Sequence, residues 1–157
     1  MLSKERHQTA TGPGLIDTNA SLHIGPRGPT MDNSVFEHTR GVGFQLIDGD
    51  DLFETGLQKT ADNLVDQLKD RTVYLCFDMD FFDPSCAPGV CTPTWGGATA
   101  REGLGFLRKL NGLNIVGADI NTVSPPHDVG GMTAFLAGAV ALEILTLFCY
   151  AQNLVRE

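Results

Sequence analysis

Cys76-Phe-Asp-Met-Asp-Phe-Phe-Asp-Pro84 is the stretch that decides how this chain reads. It places Asp78, Asp80 and Asp83 directly after the apolar run Val73-Tyr-Leu-Cys-Phe77. A short apolar run bounded by polar and turn residues reads as a strand buried on both faces, as is usual in parallel sheets. Side chains alternate along a strand, so Asp78 and Asp80 are expected on one side at its carboxyl end. Open α/β sheets bind their ligands in the crevice at that end. Two carboxylates so close repel each other unless protons or a cation intervene. A divalent metal is the natural resolution, because hard cations take carboxylate oxygens. Two solvated aspartates in a strand-to-loop turn are the plainer alternative, since Asp also favours turns.

On either side of this stretch, strands alternate with helices. Leu22-His-Ile24 and Gly43-Phe-Gln-Leu-Ile-Asp48 are strand candidates. Phe53, Leu57, Ala61, Leu64, Val65 and Leu68 fall at helical spacing, with Asp50 or Asp51 available as N-cap. Thr99-Ala-Arg-Glu102 has the capping-box pattern and opens a helix carrying Leu104, Leu107 and Leu110. Asn114-Ile-Val-Gly-Ala-Asp119 is a further buried strand that again ends in a carboxylate. Ser124-Pro-Pro126 breaks the chain before a long apolar helix that starts near Gly131. Such alternation predicts a parallel sheet with helices on both faces. Residues 1–20 read as irregular and residues 1–157 as a single domain.

Composition narrows the function classes. The 157 residues, 42% hydrophobic and 19% charged, suit an ordinary globular domain. A net charge of −8 argues against nucleic acid and anionic membrane surfaces as partners. Residues 132–150 are nearly long enough for a membrane span, but Glu143 and the flanking Thr133 and Thr146 favour a buried or subunit-facing helix. Cys76 and Cys149 lie in apolar runs and read as buried small residues. Cys86 and Cys91 lack the spacing of a zinc ribbon. Reduced thiols and an opening without an apolar signal region lead to the expectation of a cytoplasmic protein.

The aspartate stretch continues into Ala87-Pro-Gly-Val-Cys-Thr-Pro93 and then Gly96-Gly97. From Phe77 to Gly97 this resembles, without a gap, the ureohydrolases, the family of arginases and agmatinases. Their motif is Phe-Asp-x-Asp-x-x-Asp-Pro, then Ala-Pro-Gly-x-x-Thr-Pro and a Gly-Gly pair. Haloacid-dehalogenase-type phosphatases also end a strand with Asp-x-Asp, but they want a small hydroxyl residue where this chain has Phe82. The likeness extends through His23-Ile-Gly-Pro-Arg-Gly28 and Val116-Gly-Ala-Asp-Ile-Asn-Thr-Val-Ser-Pro-Pro-His-Asp128, covering roughly residues 14–150.

The resemblance implies an arginase-like three-layer αβα fold with a mainly parallel sheet, of which this chain corresponds to the C-terminal half. It implies hydrolysis of a linear amidine to urea and an amine on a two-metal site of Mn²⁺, or Ni²⁺ in some branches. Asp78 and Asp80 match two metal ligands, Asp83 a turn-supporting position behind them, and Thr92 a threonine near the bound amidine. Expected partners are a small guanidino substrate and further copies of the chain, as trimers or hexamers. The family's Gly-Gly-Asp-His and Asp-Ala-His-x-Asp ligand motifs do not occur here. His7 faintly resembles the family's proton-shuttle loop; His23, His38 and His127 match none of its ligand contexts. Thr122 stands where arginases and agmatinases carry Glu against the guanidinium, so the substrate need be neither arginine nor agmatine. The expectation is a split or truncated agmatinase-like hydrolase, inactive alone. A non-catalytic module that needs an N-terminal partner half is the alternative.

Overall fold

A computed structural model describes residues 14–29 and 34–154, and His7 lies outside them. Two compact units meet in sequence between Glu54 and Thr55.

The first unit holds the parallel strands β1 (Leu22–Ile24) and β2 (Gln45–Ile47), joined through helix α1 (Ser34–Gly41). Its short turn at Thr18–Ala20 is capped by Asp17, whose carboxylate accepts the Asn19 amide at 3.1 Å. Helix α2 (Gly49–Thr55) follows β2. Its first turn is capped by Asp48, not Asp50 or Asp51: the Asp51 amide donates to Asp48 Oδ1 at 2.9 Å. The single helix expected over Phe53–Leu68 is therefore two. Gly56, at φ 88°, breaks it, and α3 (Leu57–Leu68) restarts beyond. A left-handed residue cannot continue a helix, and glycine adopts that conformation without steric cost.

The second unit contains α3 and the parallel pair β3 (Thr72–Asp78) and β4 (Asn114–Asn121). It also holds helices α4 (Ala100–Lys109) and α5 (Met132–Ala151). Register runs from Thr72 opposite Asn114, slips at a bulge after Val73, and ends with Cys76 opposite Asp119 and Asp78 opposite Asn121. The capping box forms as its residues predict: the Glu102 amide donates to Thr99 Oγ1, and Glu102 Oε2 accepts the Thr99 amide at 2.8 Å. Two orphan amide donors are satisfied reciprocally, which pins the start of α4.

At the end of the strand and just beyond it, Phe77, Phe81 and Phe82 form an aromatic cluster with centroids 5.6–6.0 Å apart, and Phe106 of α4 joins it at 6.0 Å from Phe81. Phe82 is 1% exposed. Its ring lies where a side chain at Gly103 would sit, 2.2 Å from an ideal Cβ there. The aspartate turn is thus bolted to α4 through apolar contact. Helix α5 buries Leu136, Val140, Ile144 and Leu147 and packs on β4 and α4. Its Glu143 receives Arg108 of α4 at 2.9 Å from Nε, which explains a carboxylate in so apolar a helix. By length and composition alone α5 is long and apolar enough to cross a membrane.

Burial differs from the sequence expectation in one important respect. One face of the pair is covered: Phe77 and Ile115 are buried. The other is open, with Tyr74 63% exposed, Cys76 exposed, and Val116, the extra residue of the bulge, 52% exposed. An apolar run has no period, so it cannot tell a strand buried on both faces from one buried on a single face. Cys149 is half-buried, and all four thiols are free. Phe135, Leu142 and Leu145 of α5 are exposed as well. Apolar surface and strand edges of this kind invite association. Light scattering of the purified chain should therefore find an oligomer or aggregate; a stable compact monomer at working concentration would contradict this.

Candidate metal centre

Strand β3 ends at Asp78, and its backbone leaves the sheet in a one-turn 3₁₀ helix, Met79–Phe81, that carries Asp80. Strand alternation therefore does not place the two carboxylates, because Asp80 is no longer in the strand. Met79, between them, is fully buried and anchors the turn.

Asp78 Oδ1 is buried and has no hydrogen-bond partner. Burial raises the Asp78 carboxyl above its ordinary range, and the neighbouring Asp80 and Asp119 carboxylates raise it further, against the Asn121 amide. A raised carboxyl pKa means that ionised Asp78 costs stability, and the cost grows as pH rises through the folded value. A cation at this oxygen would remove that cost. The orphaned atom and the hard-oxygen chemistry fit a divalent ion. The ligand set is right in kind and short in number: among the described residues no three His, Cys, Asp or Glu side chains converge to hold a metal.

Asp80 is held from two directions. Its amide donates to Thr122 Oγ1 at 3.2 Å, and Thr92 Oγ1 donates to its Oδ2 at 2.5 Å. Asp80, Thr92 and Thr122, three of the five site residues expected from sequence, are thus in direct contact. Thr122 follows the last residue of β4 with φ 68°, a left-handed backbone that a β-branched residue rarely adopts. Such strain costs of order 1–3 kcal/mol and persists only where surrounding contacts over-determine it. Here the Thr122 carbonyl accepts the Cys91 amide at 2.9 Å, and the flanking Val123 bridges Val90.

Asp83 faces the loop instead. Its Oδ1 accepts the Ser85 amide at 2.9 Å and its Oδ2 the amides of Gly96 at 2.9 Å and Gly97 at 3.3 Å. The Ser85 hydroxyl first, then the Ser85 amide and the Gly96 and Gly97 amides, hold its carboxyl below the usual range. They close the loop that carries Thr92, with Trp95 exposed at its tip. Asp128 does similar work at the other end, its two oxygens accepting the Thr133 and Ala134 amides at 2.9 Å each at the start of α5.

Asp119 is an electrostatic neighbour of Asp78 that residue spacing alone does not indicate. Tyr74 donates to it at 2.7 Å, and the Asn121 amide donates both to Asp119 and, at 3.4 Å, to Cys76 Sγ. The signal was the register, which places Cys76 opposite Asp119 and Asp78 opposite Asn121. Of the histidines, His23 lies in β1, His38 in α1, and His127 in the 3₁₀ turn Pro125–His127, where its Nδ1 meets Ser124 Oγ at 2.7 Å.

The pattern of the Arginase family matches residues 6–147. This chain belongs to the arginase family. It is 38% identical over 139 residues to proclavaminate amidinohydrolase of Streptomyces clavuligerus, covering 88% of this chain and 44% of that protein. It is 40% identical to the agmatinase of Photorhabdus laumondii, covering 88% and 42%. With the mitochondrial guanidino acid hydrolase of Homo sapiens it shares 34% over 84% and 38%. The solved structure of the Streptomyces clavuligerus enzyme superposes with a TM-score of 0.83 at 36% identity, over 95% of this chain and 48% of that one. The fold is therefore the α/β arginase type, and the chain spans less than half the length of the curated relatives it matches.

Proposed function

We propose that this chain supplies the Asp78–Asp80 half of a metal-dependent amidino hydrolase, which converts a guanidino compound to urea and an amine, and that it is inactive alone. The observation that carries the reading is the buried, unpartnered Asp78 Oδ1 beside Asp80 at the carboxyl end of a parallel strand, in a chain of the arginase family. Asp78 and Asp80 would hold Mn²⁺, or Ni²⁺, and the remaining ligands would come from beyond the described residues. Bound in pairs, such ions lower the pKa of a water and stabilise developing negative charge. Asp83 holds the 83–97 loop closed. The enzyme so assembled is proposed to be cytoplasmic and homo-oligomeric, as a trimer or hexamer.

Thr92 and Thr122 are the proposed substrate residues. Each hydroxyl has one proton and two lone pairs, so after its bond to Asp80 each retains capacity for an amidine N–H. A neutral hydroxyl cannot neutralise a guanidinium as a carboxylate does. The favoured substrates are therefore guanidino compounds that carry their own carboxylate or are held elsewhere, such as guanidino acids. The non-catalytic alternative draws on the open sheet face at Tyr74 and Val116, which a partner half would cover.

A chimera tests the substrate reading. This chain is joined to the part of proclavaminate amidinohydrolase that it does not match, loaded with Mn²⁺, and offered agmatine, arginine and a guanidino acid. A charge-assisted hydrogen bond contributes about 1.5–3 kcal/mol. Thr122→Glu should thus shift the agmatine-to-guanidino-acid ratio of kcat/KM by roughly tenfold or more toward agmatine. An unchanged ratio, or a parent chimera that already prefers agmatine, overturns the assignment of Thr122.

A further inference from the structure

We propose that Thr122 is a positioning residue for Asp80, and that its left-handed backbone exists to hold that carboxylate in place. This rests on the metal-centre reading above but asks a separate question of the chain.

Three hydrogen bonds close a circuit. Thr122 Oγ1 receives the amide of Asp80 at 3.2 Å. The Thr122 carbonyl receives the amide of Cys91 at 2.9 Å. Thr92, the residue after Cys91, returns to Asp80 and donates its hydroxyl to Oδ2 at 2.5 Å. One residue therefore fixes the backbone of Asp80 directly and its side chain through the loop. The residues involved are 42 and 12 positions apart in sequence, so no local preference accounts for the arrangement. Besides Thr122, only Asn153, at the end of α5, has a positive φ among the described non-glycine residues. Asparagine tolerates that conformation and threonine rarely adopts it. A strained β-branched residue whose hydroxyl and carbonyl are both engaged at a candidate metal centre is the pattern expected of a held geometry.

The circuit also gives Thr92 a part. Its hydroxyl proton is committed to Asp80 Oδ2, which orients the carboxylate with that oxygen toward the protein. Groups that hydrogen-bond a metal-ligating side chain commonly work in this way, by fixing its orientation.

Amide hydrogen exchange resolved at Asp80 tests the clamp in the metal-free 157-residue chain, with wild type compared with Thr122→Ser, Thr122→Val and Thr122→Gly. The serine variant keeps the hydroxyl and should match wild type. The valine variant keeps shape and loses the acceptor, so exchange at Asp80 should quicken about fivefold or more, the equilibrium weight of one neutral hydrogen bond. Thr122→Gly relieves the strained φ, so it should melt no lower than wild type while exchange at Asp80 still quickens. That split between stability and local protection is one a merely structural role would not produce. Should the valine chain fail to fold, the glycine chain decides alone. Equal exchange at Asp80 in wild type, valine and glycine chains overturns the proposal. A parallel Mn²⁺ titration should weaken by a similar factor in Thr122→Val and recover in Thr122→Ser. If Mn²⁺ uptake proves independent of Asp78 and Asp80, the metal reading falls, while the exchange result still decides the clamp.

Discussion

Asp78→Ala should abolish urea release in the chimera with the unmatched part of proclavaminate amidinohydrolase, by on the order of a thousandfold or more, and the 157-residue chain alone should release none. Both results follow from the same shortage. The hydrolysis needs a strong nucleophile at neutral pH, and a metal-bound water provides it only where the ion is held. The described chain offers the carboxylates Asp78 and Asp80 but no third converging ligand. Removing Asp78 deletes an oxygen that is buried and has no hydrogen-bond partner. Alanine at 78 also relieves the raised-pKa carboxylate, so the variant should be no less stable than wild type at neutral pH. Lost activity with retained stability separates a ligand from a structural residue. Chelator-sensitive turnover by the isolated chain would show that the chain is complete in itself and overturn the split reading.

Phe82→Ala should be the most damaging single change to the second unit. Phe82 is 1% exposed, contacts Phe77 and Phe81 at ring-centroid distances of 5.7 and 6.0 Å, and fills the space left by Gly103. Truncating a buried phenylalanine costs about 3–5 kcal/mol, the transfer free energy plus the cavity left behind. Domains are stable by only about 5–15 kcal/mol, so much of the folded population is at risk. The effect should also reach the centre, because Phe82 lies directly after the turn that carries Asp80. Urea denaturation reads it: a loss below about 1 kcal/mol would show that the aromatic cluster does not anchor the turn. Phe82→Leu, which keeps most of the apolar volume, should fall between wild type and alanine.

Much of the second unit is legible in the residues themselves. The apolar run before Asp78, the Thr99–Glu102 capping box and the Pro-Pro break before α5 each act locally, and each produces the element it predicts. The aspartate motif and its following loop also carry the family, which the match over residues 6–147 supports. What the residues do not disclose is non-local. Burial of β3 on two faces fails because the amount of cover over Tyr74 and Cys76 is set by other elements, not by the run itself. Helix α1 escapes notice because eight residues with few apolar positions leave little periodicity. The placement of Asp80 in a 3₁₀ turn, and of Thr122 against its amide, depends on how β4 registers with β3. Gly56 was a visible breaker inside a helical pattern, and its left-handed φ gives it that role.

The central claim is that Asp78 and Asp80 form a real but incomplete divalent-metal site, and a Mn²⁺ titration of the purified chain by calorimetry or electron paramagnetic resonance tests it most directly. Two carboxylates with the rest of the coordination sphere left to water should bind weakly, with a Kd of roughly 10⁻⁴–10⁻³ M, the weak end of the range that ligand charge and rigidity set for oxygen-ligand sites. Binding should disappear in Asp78→Ala and in Asp80→Ala, and strengthen in the chimera. Tight, stoichiometric uptake that survives Asp80→Ala, or no uptake that depends on either aspartate, would contradict the account.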